Sequence, residues 1–320
     1  MSRPIAKTVF KFIHCSNWSW LATVMAVLLF RIGALQAGLI PVPNGSFESP
    51  ATFFVSVNVN SWQKTAKPES WDESSTGPWT NLVGIFKNTA PGSADHIDNC
   101  DGNQAAWLFA DPEAGFFQDY DSVDWDDASP AHAFDVKFEA GKSYQLTVGI
   151  IGGGYSMQPD VPLEASLYYR DASSNKVIVA ATTITYSTSI FSNRTHFIDF
   201  TVNTPTVRPA DAWAGQNIGI QFLSTVSSNL AGGYWDLENV RLSSFLAPAL
   251  LNPVRINNQF QFILRSEPGA ALEILAATNL ALPASNWVSL ATLTNVTGTI
   301  PFLDTSAALD QRFYQARQLP

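Results

Sequence analysis

Residues 142–150 read Lys-Ser-Tyr-Gln-Leu-Thr-Val-Gly-Ile, and this stretch shows the pattern that decides the fold. Tyr144, Leu146, Val148 and Ile150 are apolar, and a polar or small residue separates each from the next. Alternation with a period of two is typical of a β-strand that packs one face on a core, whereas a helix repeats every ~3.6 residues. The segment therefore predicts a half-buried strand.

The same alternation recurs elsewhere in the chain, and turn-forming residues separate the apolar sets. Further sets occur at residues 163–169, 198–202 and 218–222. Helical periodicity does not extend beyond ~10 residues anywhere in the sequence. Many short strands joined by turns predict an all-β chain with an antiparallel β-sandwich of the jelly-roll type.

The composition changes at residues 247–253, which contain two prolines and no charged residue. A second set of alternating segments follows, beginning with Phe260, Phe262 and Leu264. We expect a jelly-roll domain over residues 38–247 and a smaller C-terminal β-sandwich over residues 253–320.

Residues 1–37 have the organisation of a signal peptide. Basic residues precede an apolar run at positions 18–30, and small residues follow near Ala37. The run is shorter than the ~20 residues that span a bilayer, which predicts cleavage, with a retained anchor as the alternative. The mature protein is expected to be secreted or held at the cell surface, without a membrane span.

Acidic residues are concentrated in the predicted jelly roll. Residues 39–247 contain 23 acidic and 10 basic residues, a net charge of −13, while the whole chain carries −9. Binding to a phosphate backbone requires Lys and Arg, so nucleic acid is not an expected partner. Acidic clusters suit hard cations such as calcium.

The stretch 234–242, Tyr-Trp-Asp-Leu-Glu-Asn-Val-Arg-Leu, contains a conflict of parity. If Val240 and Leu242 face the core, regular alternation sends Asp236 and Glu238 the same way, and unpaired buried carboxylates are unfavourable. Either a β-bulge redirects them, or a cation such as calcium neutralises them. Acids at a solvated strand end are the third possibility.

The opening motif Asn-Gly-Ser-Phe-Glu at 44–48 and the closing motif at 235–242 resemble the first and last strands of carbohydrate-binding jelly rolls with a galactose-binding-like fold. Two further segments, residues 101–107 and 140–148, resemble exported bacterial proteins with that fold. In calcium-bearing members an ion is held between those strands. The resemblance implies a structural calcium with Glu48 and Asp236 or Glu238 as ligands.

The same fold resembles that of calcium-dependent cyclases from indole-alkaloid pathways, which provides an enzymatic alternative. The acid that those cyclases use is not placed by the resemblance, so it implies no catalytic residue. The sequence contains no G-x-S-x-G, H-E-x-x-H or phosphate-loop motif. Carboxylate pairs can nevertheless catalyse reactions on glycans without a local motif.

Three tryptophans in turn-rich stretches are candidates for stacking on sugars: Trp71, Trp79 and Trp125. Tryptophans within strand-like runs, among them Trp107 and Trp235, are expected in the core.

Three functions remain open at this point. We favour a non-catalytic, calcium-stabilised module that binds an extracellular glycan or surface polymer through a shallow aromatic surface. The alternatives are a cyclase-like or glycan-active enzyme and a purely structural envelope protein. Paired carboxylates across an apolar cleft would favour the enzyme.

Overall fold

The computed structural model describes residues 38–124, 132–256, 259–305 and 312–319. The predicted signal peptide and Trp125 lie outside these residues. Within the described part of the chain, no helix has the length and apolar character needed to cross a bilayer.

Within the described residues the regular structure consists of eighteen strands, one short helix α1 (Glu73–Thr76) and two 3₁₀ turns (Trp79–Leu82 and Ala284–Asn286). The strands are β1 (Gly38–Ile40), β2 (Val55–Ser56), β3 (Gln63–Lys64), β4 (Val83–Lys87), β5 (Gln104–Phe109), β6 (Gly115–Gln118), β7 (Lys142–Gly154), β8 (Pro162–Arg170), β9 (Lys176–Thr185), β10 (Ile198–Asn203), β11 (Gly219–Ser224), β12 (Tyr234–Leu246), β13 (Ala249–Ile256), β14 (Gln259–Arg265), β15 (Ala271–Ala277), β16 (Val288–Thr294), β17 (Thr299–Asp304) and β18 (Phe313–Gln318).

The first twelve strands form two antiparallel sheets. The larger has the order β10-β7-β12-β5-β4-β2, with β1 also paired to β12, and the smaller has the order β3-β6-β11-β8-β9. The alternating residues identified in the sequence fill the space between them, so that Leu146, Ile150, Leu167 and Ile220 have no exposed surface. The predicted all-β sandwich is confirmed.

Strands β13 to β18 form two three-stranded sheets, β13-β14-β17 and β16-β15-β18, around a smaller core. The stretch 247–253, where we placed the domain boundary, is largely strand β13. Its Pro253 lies at a register shift between Leu251 and Val254, where a missing N–H does not break the ladder. Only Ala247 and Pro248 separate β12 from β13. The independence of the two predicted domains remains a prediction.

Candidate functional site

The outer face of the larger sheet, on the side away from the core, is lined by aromatic side chains. Along β5, Ala106 and Leu108 are fully buried in the core, while Trp107 and Phe109 alternate with them and face outward. Trp107 was expected in the core. The expectation was wrong because β5 has large apolar side chains on both faces, and one of those faces borders a cavity.

This cavity has a volume of about 660 Å³, within the range of about 300–1,000 Å³ typical of small-molecule sites. The lining includes the aromatic side chains Phe54, Phe86, Trp107, Phe109 and Tyr234. Two carboxylates, the exposed Asp95 and the buried Asp236, also line it. The protein therefore has an apolar cleft that contains carboxylates, rather than only a shallow surface.

Asp236 is the most buried acid of the cavity, with 5% of its surface exposed. Burial raises its pKa to about 7, and the nearby charge of Arg194 opposes this shift. One guanidinium nitrogen of Arg194 lies 3.6 Å from Asp236 Oδ2. The same Arg194 Nη2 donates to the Tyr234 hydroxyl at 3.1 Å, and its guanidinium carbon lies 5.3 Å from the Tyr234 ring centre.

A β-bulge explains how these acids avoid the core. The register between β12 and β7 shifts between Glu238 and Arg241, and Asn239 adopts a positive φ of 50° there. Trp235 and Leu237 consequently face the core on one side of the shift, and Val240 does so on the other. Of the three explanations offered for the parity conflict, the bulge is confirmed.

Glu238 faces the same side of the sheet as Asp236 but lies in a different environment. It is 1% exposed, and its Oε1 has no hydrogen-bond partner among the described residues. Burial raises the pKa of Glu238 to about 8, a hydrogen bond from the Asp101 backbone opposes the shift, and the charges of Asp101 and Glu48 add to it. An unpaired buried carboxyl oxygen needs an explanation, and a bound ion is one.

Glu48 lies near this carboxyl, in the irregular segment after β1 rather than within the opening strand itself. Its Oε1 accepts hydrogen bonds from the backbone N–H groups of Asn103 and Gln104, both at 2.7 Å. The adjacent Asp101 accepts from Ser46 Oγ at 2.7 Å. The structure thus brings Glu48 and Glu238 together and places Asp236 in the cavity.

No group of three or more His, Cys, Asp or Glu side chains converges as a metal site in the described ranges. Calcium also accepts carbonyl and water oxygens, so two carboxylates beside an irregular backbone are compatible with it.

Two of the tryptophans predicted for sugar stacking, Trp71 and Trp79, lie away from the cavity lining. Trp79 is 5% exposed and donates from Nε1 to the Thr65 carbonyl at 2.8 Å, so neither ring face is open. Trp71 is half-buried and packs edge-on against Trp79 at 5.1 Å between ring centres. Both act as packing groups in this structure, and Trp125 is not among the described residues.

Four residues of the cavity were not predicted as site residues from the sequence: Trp107, Phe109, Tyr234 and Arg194. Residues 107 and 109 are both aromatic, and they alternate with the core positions of β5. This pattern could have indicated that the outer face of the strand is also apolar. Arg194 comes from the connection between β9 and β10, where no local pattern links it to Asp236.

Comparisons with known proteins identify one matching family and several solved structures of low sequence identity. Residues 38–243 match the HpiC1-like family, whose description is HpiC1 cyclase. A search of curated proteins finds no match.

The solved structures that resemble the chain do so at low identity. A cyclase from Fischerella sp. TAU is 21% identical, over 67% of this chain and 100% of its own, with a TM-score of 0.47. The CBM22-1 xylan-binding domain from Paenibacillus barcinonensis is 12% identical, over 68% of this chain and 100% of its own, with a TM-score of 0.36. Likeness at this level carries no conclusion about ligands.

The family match covers the whole of the two-sheet sandwich, from β1 into β12, including every strand that lines the cavity. It supports the enzymatic alternative, while the glycan-binding hypothesis stays an unconfirmed prediction. The chain belongs to the HpiC1-like cyclase family.

Proposed function

We propose that the protein is an enzyme that cyclises or rearranges an apolar, unsaturated small molecule by proton transfer inside the outer-face cavity. The observation that carries this proposal is a buried carboxyl, Asp236, in the wall of an aromatic cavity of a cyclase-family protein. Such a group is well suited to general acid catalysis because burial favours its protonated form near neutral pH.

The proposed reaction is an isomerisation and needs no oxidant or reductant. The Asp236 carboxyl donates its proton to a double bond of the substrate, which leaves a cation on the adjacent atom. The electron pair of a second double bond attacks that cation and closes the ring. A proton lost from the carbon next to the new cation returns to the Asp236 carboxylate, so substrate and product have the same composition.

The rest of the cavity suits a cationic intermediate. The ring faces of Trp107, Phe109 and Tyr234 carry the negative part of their quadrupoles and stabilise nearby positive charge by about 0.5–2 kcal/mol each. A substrate that fills the cavity would displace water, which would otherwise capture the cation. Arg194 stabilises the carboxylate that remains after proton donation.

We further infer that calcium supports this site structurally, with Glu48 and Glu238 as the residues that would hold it. The orphaned Oε1 of Glu238 and the neighbouring carboxylate of Glu48 support this assignment. A bound ion would neutralise these acids and link the irregular segment after β1 to β12. Calcium is expected to act on folding of the site and to take no part in proton transfer.

The test is an assay for same-mass products. Alkenyl-substituted aromatic compounds are incubated with the protein, and liquid chromatography with mass spectrometry detects products that elute differently at unchanged mass. Asp236→Asn removes the proton while keeping the shape, so turnover is expected to fall by about 10²–10⁴-fold.

Asp199→Asn provides the matched control. Asp199 also pairs with an arginine, Arg241, on the same sheet, but both side chains lie at the surface. We expect this variant to retain wild-type turnover. An Asp236→Asn protein with wild-type turnover would contradict the proposal.

A further inference from the structure

Cross-strand pairs of an aromatic residue and a glycine occur on the outer faces of both sheets. In each pair the ring lies over the glycine directly opposite on the neighbouring strand. The pairs are Trp107 over Gly84, Tyr234 over Gly154, and Tyr168 over Gly219.

The rings lie too close to the backbone for any side chain to fit beneath them. A Cβ added at Gly84 would lie 2.3 Å from Cη2 and Cζ2 of Trp107. A Cβ at Gly154 would lie 2.5 Å from Cδ2 and Cε2 of Tyr234. Carbon atoms pack at about 3.5–4.0 Å, so either ring would have to move outward by about 1 Å.

Backbone conformation does not explain these two glycines. Neither Gly84 nor Gly154 has a positive φ, so alanine could adopt the same backbone. At both positions the absence of a side chain lets the aromatic ring lie flat on the sheet.

Two of the three rings, Trp107 and Tyr234, are also walls of the cavity. The height at which each ring lies above the sheet therefore sets how deep the cavity is. Rings laid over glycine also stabilise a sheet, and the Tyr168–Gly219 pair on the other sheet shows that arrangement outside the cavity lining.

We propose that Gly84 and Gly154 are specificity-determining residues, which set the depth of the cavity and thereby the largest ring system that it admits. This inference rests on the proposed function in assuming that the cavity binds the substrate. A side chain at either position would push the aromatic ring outward and make the cavity shallower. The larger ligands would be excluded first.

Gly154→Ala is the cleaner variant for the test. Its new methyl meets only Tyr234 ring atoms within the three nearest contacts, whereas a methyl at Gly84 would also meet the Ser56 carbonyl oxygen at 2.5 Å. The probes are phenol, 2-naphthol and 9-phenanthrol, which share a hydroxyl and contain one, two and three fused rings. Calorimetry measures their dissociation constants.

We expect Gly154→Ala to weaken the binding of 9-phenanthrol by roughly tenfold and that of phenol by less than about twofold, because the outward shift of the Tyr234 ring affects most the ligand that needs the full depth. Gly219→Ala is the matched control, since its Cβ would meet the Tyr168 ring at 2.2 Å on the other sheet. It is expected to lower the melting temperature and leave all three affinities unchanged.

A double-mutant cycle separates cavity depth from general damage. In a Tyr234→Ala background no ring lies over residue 154, so adding Gly154→Ala is expected to change every affinity by less than about twofold. The two proteins of this comparison contain no clash, so an affinity difference between them overturns the inference even if the single variant does not fold.

The outcomes distinguish this inference from the proposed function. A wild type that binds the probes, with a folded Gly154→Ala that keeps the same size preference, overturns the inference alone. An equal effect of Gly154→Ala with and without the Tyr234 ring does the same. A wild type that binds none of the probes overturns the use of the cavity and the inference with it.

Discussion

The outer faces of the two sheets contain similar residues. Among the described residues, however, only the face of the larger sheet has a cavity open to a ligand. Each face has an acid that is 5% exposed, Asp236 on the larger sheet and Asp119 on the smaller. Each acid lies near an arginine, Arg194 and Arg170 respectively. The cavity on the larger sheet has a volume of about 660 Å³, and the one beside Asp119 only about 120 Å³.

The acid of the smaller sheet is fully engaged. Asp119 Oδ2 accepts from the Tyr168 hydroxyl at 2.6 Å and from Arg170 Nε at 2.9 Å, and Arg170 Nη2 lies 2.8 Å away. Buried carboxylates are stable when they are paired and hydrogen-bonded in this way. Asp119 therefore has the environment of a structural group.

A lysine covers an aromatic ring on that face. Lys176 Nζ lies 3.2 Å from the centre of the Phe117 ring and donates to Gln221 Oε1 at 2.7 Å. The aromatic face that a ligand would need is thus covered by the protein itself.

The contrast indicates which buried acid has a function beyond folding. At Asp236 the arginine remains 3.6 Å away, and burial raises the pKa to about 7. A buried acid left with incomplete compensation beside an open cavity is a common feature of catalytic sites. Burial alone would not have distinguished the two residues.

Asparagine substitutions break this comparison most strongly, because only one of the two variants is expected to lose stability. Asp119→Asn leaves Arg170 without its charge partner, and the free energy of unfolding should fall by about 2–3 kcal/mol, below the usual 3–5 because Arg170 is partly solvated. Asp236 has a raised pKa, so its contribution is present below pH ~4 and is lost as the pH rises through about 7. Asp236→Asn should therefore be neutral or stabilising at pH 8.

Urea unfolding at pH 8 measures both variants. Equal losses of stability would show that Asp119 and Asp236 serve the same structural purpose, which contradicts the distinction drawn between the two faces.

Removal of calcium compares two acids of the larger sheet. We expect Glu238 to need a cation and Asp236 not to need one. Stabilisation by an ion that binds only the folded state grows with concentration, to about 2.7 kcal/mol at a hundredfold excess over Kd. EDTA should lower the melting temperature of the wild type and of Asp236→Asn alike. Glu238→Gln should melt at a low temperature already and respond little.

Metal analysis of the purified protein accompanies the melting curves. An unchanged melting temperature on adding EDTA or calcium, together with an empty metal analysis, would show that the half-buried Glu48 and the buried Glu238 hold no ion.

The sequence predicted the strands well because their core positions alternate without interruption. The sets beginning at Tyr144 and Leu163 lie in β7 and β8 with the expected residues in the core. Strand β13 was missed because Pro248 and Pro253 indicated a domain boundary, whereas Pro253 lies within the strand and is accommodated at a register shift.

The site was only partly predictable for a related reason. Asp236 and Glu238 were identified from the closing motif, but parity alone could not show that a bulge turns them to the outer face. Trp107 was assigned to the core because a single sequence does not reveal which face of a strand borders a cavity. Arg194 reaches Asp236 through tertiary structure alone.

The central claim is that the outer face of the larger sheet is the ligand site, and a crystal structure with 9-phenanthrol tests it most directly. We expect the probe to lie in the cavity, stacked on Trp107 or Tyr234, with its hydroxyl toward Asp236. A probe bound instead on the smaller sheet near Phe117 and Tyr168, with the cavity empty, would contradict the account.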